Sequence, residues 1–248
     1  MLSLVLSVAA RVPCVVSRAL MEGPRTARLS LRPVEGEFPA WAPGQSAMLA
    51  LVAPSAPRGA RAFPVVSPPY ERGRMEFLVK AVDDWTLRFV AAVESGLDPD
   101  CAALVGAPFG PTWLGSRDPG GPLVLVAGGF GIAAFLGLLE HLAWADAARP
   151  TLLLWWAKTR EELGPSRDFG AYARTFPGFS WKAALTHDPL WDGERGRPDA
   201  ESLARLSGAF LADPATRWFV SGPPPMAKAV RRALRALGIA RRAARVGS

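Results

Sequence analysis

Cysteine is scarce in this sequence: Cys14 and Cys101 stand far apart, with no C-x-x-C context around either. That argues against cysteine-ligated zinc and iron–sulfur clusters, which need grouped thiolates, and no metal is expected. The usage suits a reducing compartment, with a single Cys14–Cys101 disulfide left open. Histidine is equally rare. His141 falls in a helical pattern and His187 in a loop, neither with a catalytic partner nearby, and both read as structural. No apolar run is long enough to span a bilayer, so no transmembrane span is expected. Met1 to Ala10 is apolar but lacks a basic leader region, and reads as the approach to a first strand. A cytoplasmic location follows, with attachment to a membrane or a larger complex left open. No basic block interleaves with aromatics, so no nucleic acid is expected as a partner.

What is present is a globular chain of 248 residues, half of them hydrophobic, with a formal charge of +7. Most basic residues are Arg, and Ala, Gly and Pro are abundant, a pattern that GC-rich coding produces. A basic surface for an acidic partner is the alternative.

Two patterns divide the chain, and the boundary is expected near Gly115 to Gly121, giving domains 1–117 and 118–248, with Arg117 and Asp118 exposed. The first half carries short strand-like segments between Pro/Gly turns: Val12–Leu20, Thr26–Leu31, Ser46–Val52 and Met75–Val82. Such spacing predicts an antiparallel barrel or sandwich, interrupted by one helix over Trp85–Ser95. Alternation puts Arg61, Phe63, Val65 and Ser67 on one side of an extended segment. There a guanidinium can pair with phosphate and an aromatic can lie on a planar ring, although an ordinary strand has the same pattern. Asp83-Asp84-Trp85-Thr86 offers either a helix start with a hydroxyl for an anion or a plain N-cap. Gly106 to Gly110 closes the last strand as a turn.

From Pro122 onward strands and helices alternate. Leu123–Val126 leads into Ile132–Trp144, Thr151–Trp156 into Arg160–Thr175, which Gly164-Pro165 interrupts, Ser180–Thr186 into Asp199–Ala212, and Trp218–Val220 into Met226–Leu237. Four such units predict an α/β parallel-sheet domain with any ligand along the strand C-termini. The first turn, Gly128-Gly129-Phe130-Gly131, can seat a phosphate at a helix start. It is an incomplete G-x-G-x-x-G, since Ala134 occupies the third glycine position. After the second strand, Lys158 and Arg160 suit the 2′-phosphate of NADPH, although an ordinary charged loop has the same pattern, and no carboxylate precedes Glu161. The fourth strand ends in Ser221-Gly222-Pro223-Pro224-Pro225-Met226, with Ser221 on the ligand edge and prolines that permit a helix start.

The ordered set RAFPVVSPP, VDDWT, GAPFG, VAGGFGIAAF, WWAKTREEL and FVSGPPPMAKAVRRAL resembles the ferredoxin–NADP reductase superfamily over nearly the whole chain. The Asp-Trp-Thr helix start and the Gly-Pro-Pro-Pro-Met turn look most like the reductase domains of ferric reductases and NADPH oxidases. The resemblance implies an FAD-binding antiparallel β-barrel followed by an NAD(P)-binding α/β domain. It implies that Arg61 meets the flavin phosphates and Phe63 packs on the isoalloxazine, with Val65 beside it and Ser67 and Thr86 along the ribityl–pyrophosphate. Gly128, Gly129 and Gly131 would carry the dinucleotide pyrophosphate. Ser221, as the catalytic-position residue, would border the nicotinamide with Gly222, Pro223 and Met226. Arg61 and the Thr86 helix start are two separate anion sites, which favours FAD over FMN. The function implied is a flavin-dependent NAD(P)H oxidoreductase, passing hydride from NADPH to FAD and electrons to a protein or small-molecule acceptor, an acidic redox protein among the candidates. The alternative keeps the fold as a non-catalytic flavin- or nucleotide-binding assembly module. It draws on Pro64, where the family has Ser or Thr, and on Ser221, where it has Cys; with Ala134 where the family has Pro and no aromatic in Ala240 to Ser248, these departures count against fast turnover.

Overall fold

The computed structural model describes residues 11–23, 25–97, 101–115, 118–164 and 169–247. The expectations for Met1 to Ala10 and for Arg117 lie outside them. The chain divides into two compact units, Met1–Thr112 and Trp113–Ser248.

The first unit holds strands β1 (Val12–Gly23), β2 (Thr26–Pro33), β3 (Ser46–Val52), β4 (Arg61–Pro64), β5 (Met75–Lys80) and β6 (Ala102–Val105). They form one sheet in the order β4-β3-β6-β1-β2-β5. Every pairing is antiparallel. Alternate residues such as Ala27, Leu29 and Leu31, or Ala47, Leu49 and Leu51, point into one core. The two outermost strands then meet through a bridge between Val65 and Phe77, and the Val66 N–H donates to the Glu76 carbonyl at 2.9 Å. This closes the sheet into a barrel and removes its open edges. Helix α1 (Asp84–Glu94) adds Phe89, Val90 and Val93 to the same core.

Both cysteines are unbridged thiols. The strand register sets Cys14 opposite Ala103, two residues from Cys101. Burial pushes the Cys14 thiol up to about 11, so it is unreactive at neutral pH.

The second unit begins with β7 (Leu123–Gly128), α2 (Ala133–Ala145), β8 (Thr151–Ala157), α3 (Phe169–Thr175) and β9 (Phe179–Leu185). It continues with β10 (Glu194–Arg195), α4 (Ala200–Ser207), α5 (Ala209–Ala212), β11 (Arg217–Ser221), α6 (Pro224–Ala236) and β12 (Ala244–Val246). The sheet order is β10-β9-β8-β7-β11-β12. All pairings are parallel. Strands β7 and β8 are buried along their whole length, which is why both read as unbroken apolar runs. Successive strands leave β7 first through β8 and β9, then on its other side through β11. That reversal opens a crevice outside the strand C-termini, the usual ligand position in such sheets.

Three sequence expectations change here. The helical stretch over Arg160–Thr175 is interrupted at Gly164 as expected, at φ +72°, but its first part is a 3₁₀ turn, Arg160–Leu163, and only the second, α3, is an α-helix. The helix expected over Asp199–Ala212 breaks at Gly208, whose φ of +55° a helix cannot hold. Asp118 is not an exposed linker residue. Its carboxylate takes Arg149 at 2.5 and 3.1 Å and Arg217 at 2.5 Å, while Arg149 Nε donates to the Gly121 carbonyl at 2.8 Å. Burial alone would raise the Asp118 pKa, but hydrogen bonds and charge from Arg149, with Arg217 beyond, hold it below the ordinary carboxylate value. The cluster ties the lead into β7 to the residues preceding β8 and opening β11, at the edge opposite the crevice.

Candidate functional site

The first unit gathers charge at the start of α1. Asp83 is the N-cap, and the helix opens in a reciprocal box. The Asp83 carboxylate accepts from the Thr86 N–H at 2.9 Å, and the Thr86 hydroxyl accepts from the Val82 and Asp83 N–H groups at 2.9 and 3.0 Å. The guanidinium of Arg61 pairs with the other Asp83 oxygen and lies 5.3 Å over the Trp85 ring. The backbone bond from Thr86, its hydroxyl and then Arg61 pull the Asp83 pKa down to about 2. Trp85 is held by its Nε1–H, which donates to the Arg58 carbonyl at 3.0 Å, and by stacking on Phe89 at 5.3 Å. Arg58, Arg61, Arg88, Asp83, Asp84 and Trp85 line an open groove of about 620 Å³.

Of the expected flavin residues, Arg61 lies on this groove and the others lie behind it. Phe63 is 8 % exposed and packs 5.9 Å from Trp85 and 6.2 Å from Phe89, so its ring belongs to the barrel core. Val65 and Ser67 are buried at the barrel seam, where the Ser67 hydroxyl accepts from the Glu76 N–H at 3.1 Å. The Thr86 hydroxyl is engaged by its own helix cap. Trp85, Arg58 and Arg88 are the groove residues that the sequence reading passed over. Trp85 belongs to the segment Val82-Asp83-Asp84-Trp85-Thr86, whereas Arg58 and Arg88 belong to no pattern and are brought in by the fold.

In the second unit the crevice is built from two turns pressed together. A Cβ at Gly131 would lie 2.3 Å from the Ser221 carbonyl oxygen, and one at Gly128 would lie 2.0 Å from Met226 Sδ. These contacts bring Gly128, Gly131, Ser221, Gly222, Pro223 and Met226 into one place. The turn after β7 is a 3₁₀ segment, Gly129–Ile132, before α2 begins. Gly129 faces more open space, where a Cβ would meet only Glu162 Oε2, at 4.0 Å, and its carbonyl accepts from Trp155 Nε1–H at 2.9 Å. Ser221 is 8 % exposed at the end of β11.

Lys158 and Arg160 stand past the end of β8, with more negative charge around them than the sequence suggested. Arg160 donates through Nε to Asp188 at 2.8 Å and through Nη2 to the Leu190 carbonyl at 2.6 Å, with its guanidinium 5.2 Å over Trp191. The Glu162 carboxylate accepts from the Lys158 backbone N–H at 3.0 Å. The expectation of a strand end clear of carboxylates is therefore corrected: Glu162 and Asp188 both reach it. Asp188 lies 28 residues from Arg160, beyond any local pattern, while Glu162 is four residues from Lys158 and was within reach of a turn argument.

A family model described as "Oxidoreductase NAD-binding domain" matches residues 125–232. The reductase component of phenol 2-monooxygenase from Pseudomonas sp. (strain CF600) is 28 % identical over 172 residues, covering 68 % of this chain and 47 % of that protein. An NAD(P)H-flavin reductase from Vibrio harveyi is 26 % identical over 140 residues, 55 % of this chain and 59 % of its own. The chain thus spans about half the length of the curated relatives it matches. Among solved structures, the flavohem-like FAD/NAD binding domain of nitric oxide dioxygenase from Vibrio cholerae O1 biovar El Tor superimposes with a TM-score of 0.79 at 18 % identity. That match covers 95 % of this chain and 97 % of that one, and it establishes the shared fold.

Proposed function

Because the chain belongs to the ferredoxin–NADP reductase superfamily, we propose that it is a flavin-dependent NAD(P)H oxidoreductase delivering electrons to a separate acceptor. The observation that carries this is the crevice at the strand-order reversal, where the Gly128–Gly131 and Ser221–Met226 turns touch. Backbone there approaches any ligand closely, at the start of α2, as a pyrophosphate requires. Ser221 and Met226 would border the nicotinamide.

The groove at α1 fits a flavin dinucleotide by its donor set. Arg58, Arg61 and Arg88 offer guanidinium forks for phosphate, and the Trp85 indole offers a face for a planar ring. Arg61 would exchange Asp83 for a phosphate, and an exposed ion pair costs little to exchange. Several cations on one groove suit the pyrophosphate of FAD better than the single phosphate of FMN. Bound flavin supplies hydride acceptance and onward electron delivery. The chain's part is to bind and orient. Pro64 has no hydroxyl to offer the reacting atoms, so turnover should be slow. The coenzyme is read as NADPH with NADH accepted: Lys158 favours the 2′-phosphate, while Arg160 is shared with Asp188. Likeness to a monooxygenase reductase component supports a redox protein as the acceptor.

A non-catalytic binding module is the second reading, favoured by the inward Ser67 and Thr86 hydroxyls together with Pro64. A visible spectrum separates the two. Oxidised-flavin bands that bleach on adding NADPH support the oxidoreductase, and chromatography of the cofactor released on denaturation identifies FAD. Folded protein that binds flavin but never bleaches with either coenzyme leaves the module standing. Folded protein that takes up no flavin refutes the flavin site.

A further inference from the structure

The charge of this chain is not spread over it. Residues 214–248 hold eight of the 29 Lys and Arg and none of the 22 Asp and Glu, so the rest carries 21 cations against 22 acids. The whole +7 therefore comes from one stretch, which a coding bias toward Arg does not explain.

The fold lays this charge on one surface. Helix α6 turns Ala227, Val230, Ala233 and Leu234 inward, and its Lys228, Arg231, Arg232 and Arg235 are exposed. Their spacing of i, i+3, i+4 and i+7 makes one stripe along the helix, about 10 Å long at 1.5 Å per residue. Arg241, Arg242 and Arg245 follow on the segment around β12, also exposed. Between α6 and that segment lies a groove of about 500 Å³, lined by the four α6 cations with Ala227 and Val246. Among the described residues, no carboxylate pairs with Lys228, Arg231, Arg232 or Arg235. The like-charge pairs Lys228–Arg232 and Arg231–Arg235 work against the helix rather than for it. Only Arg235, in the last turn of α6, is placed where a cation suits the helix dipole.

We propose that the α6 stripe and its groove are the docking face for an acidic protein surface. Apolar residues within a cationic rim match the make-up of a protein–protein contact, and guanidinium groups take carboxylates bidentately. Single-stranded nucleic acid fits less well because no aromatic interleaves with these cations for a base to stack on. Membrane insertion fits less well because the apolar side of α6 is already buried in the unit's core. An acidic face steered to this stripe would arrive quickly at low salt and leave as salt rises. The partner's role as electron acceptor rests on the function proposed above, but its binding does not.

Poly-L-glutamate is the probe, titrated into the full chain by calorimetry at about 20 mM and about 200 mM salt, either side of physiological screening. Saturable binding at low salt should weaken tenfold or more when Lys228, Arg231, Arg232 and Arg235 are all changed to Ala, a substitution that favours the helix. Changing the exposed Arg11, Arg18, Arg32 and Arg197 to Ala removes the same charge elsewhere and should alter affinity less than twofold. Absence of binding, equal loss in both variants, or tighter binding to duplex DNA or phosphatidylglycerol vesicles overturns the proposal. The readout needs no turnover, so its failure leaves the oxidoreductase reading intact, and failure of flavin bleaching leaves this one intact.

Discussion

Arg160 shows how far a residue's identity goes and where it stops. From the sequence it is a cation beside a nucleotide site, yet in the structure Asp188, the Leu190 carbonyl and Trp191 hold it on three sides. Coenzyme choice then depends on Asp188 as much as on the cations. Asp188→Asn removes the competing charge, so NADPH affinity should rise relative to NADH by about tenfold, roughly 1.4 kcal/mol. Lys158→Ala should move the ratio the other way by a similar factor, since hydrogen bonds to charged groups are worth about 1.5–3 kcal/mol. Calorimetry with both coenzymes checks this even if hydride transfer is slow. An unchanged ratio in Asp188→Asn would remove Asp188 from the selection. The sequence revealed Lys158, Arg160 and the glycines through local spacing. It could not reveal Asp188, or that Phe63 lies in the core beside Trp85, because those relations exist only after distant segments meet.

At the scale of elements, the Gly128–Gly131 turn illustrates a correct position with a different physical cause. Its glycines were read as room for a phosphate, and two of them are equally required by the neighbouring turn. Gly131→Ala would press a methyl against the Ser221 carbonyl, a backbone atom that cannot swing aside. Overpacking of this kind costs about 1–3 kcal/mol, read as a lower midpoint in thermal unfolding. Gly73→Ala meets nothing within 4 Å and should stay within about 0.5 kcal/mol of the parent. A second element-level test concerns Asp118, which fastens the approach to β7. Asp118→Asn should destabilise by about 2–3 kcal/mol, since Arg149 keeps its burial and loses its charge partner. Long strands with clear patterns were legible, and Ser46–Val52 was read residue for residue. Strands β10 and β12 were not, because two or three residues carry no period and only their parallel neighbours make them strands.

For the whole molecule, the acid side of the pH range is where several local features act together. Asp83, Asp118, Glu161 and Asp199 all have folded pKa values below their ordinary ones: helix-cap bonds act first at Asp83 and Asp199, the Thr159 hydroxyl acts first at Glu161, and at Asp118 burial is the largest single influence but Arg149, Arg217 and the Gly120 N–H together outweigh it. A depressed carboxylate pKa means the unfolded chain takes up protons first as pH falls. These groups therefore contribute stability above about pH 4, the usual unfolded value, and lose it as pH drops through their folded values. Over the same interval neutralisation of 22 acidic side chains leaves 29 Lys and Arg nearly uncompensated, in a chain that already carries +7. Self-repulsion then adds to the loss, and the stripe on α6, dense in cations and without acids, should feel it most. Far-UV circular dichroism should show little change from pH 7 to about pH 5 and a cooperative loss below about pH 4. Salt near 0.3 M shortens the screening length to well under 10 Å, so it should move that midpoint to lower pH. Replacing the four α6 cations by Ala should do the same without salt. A midpoint indifferent to both would show that carboxylate linkage alone drives the transition and that the charge on α6 carries no cost to the fold.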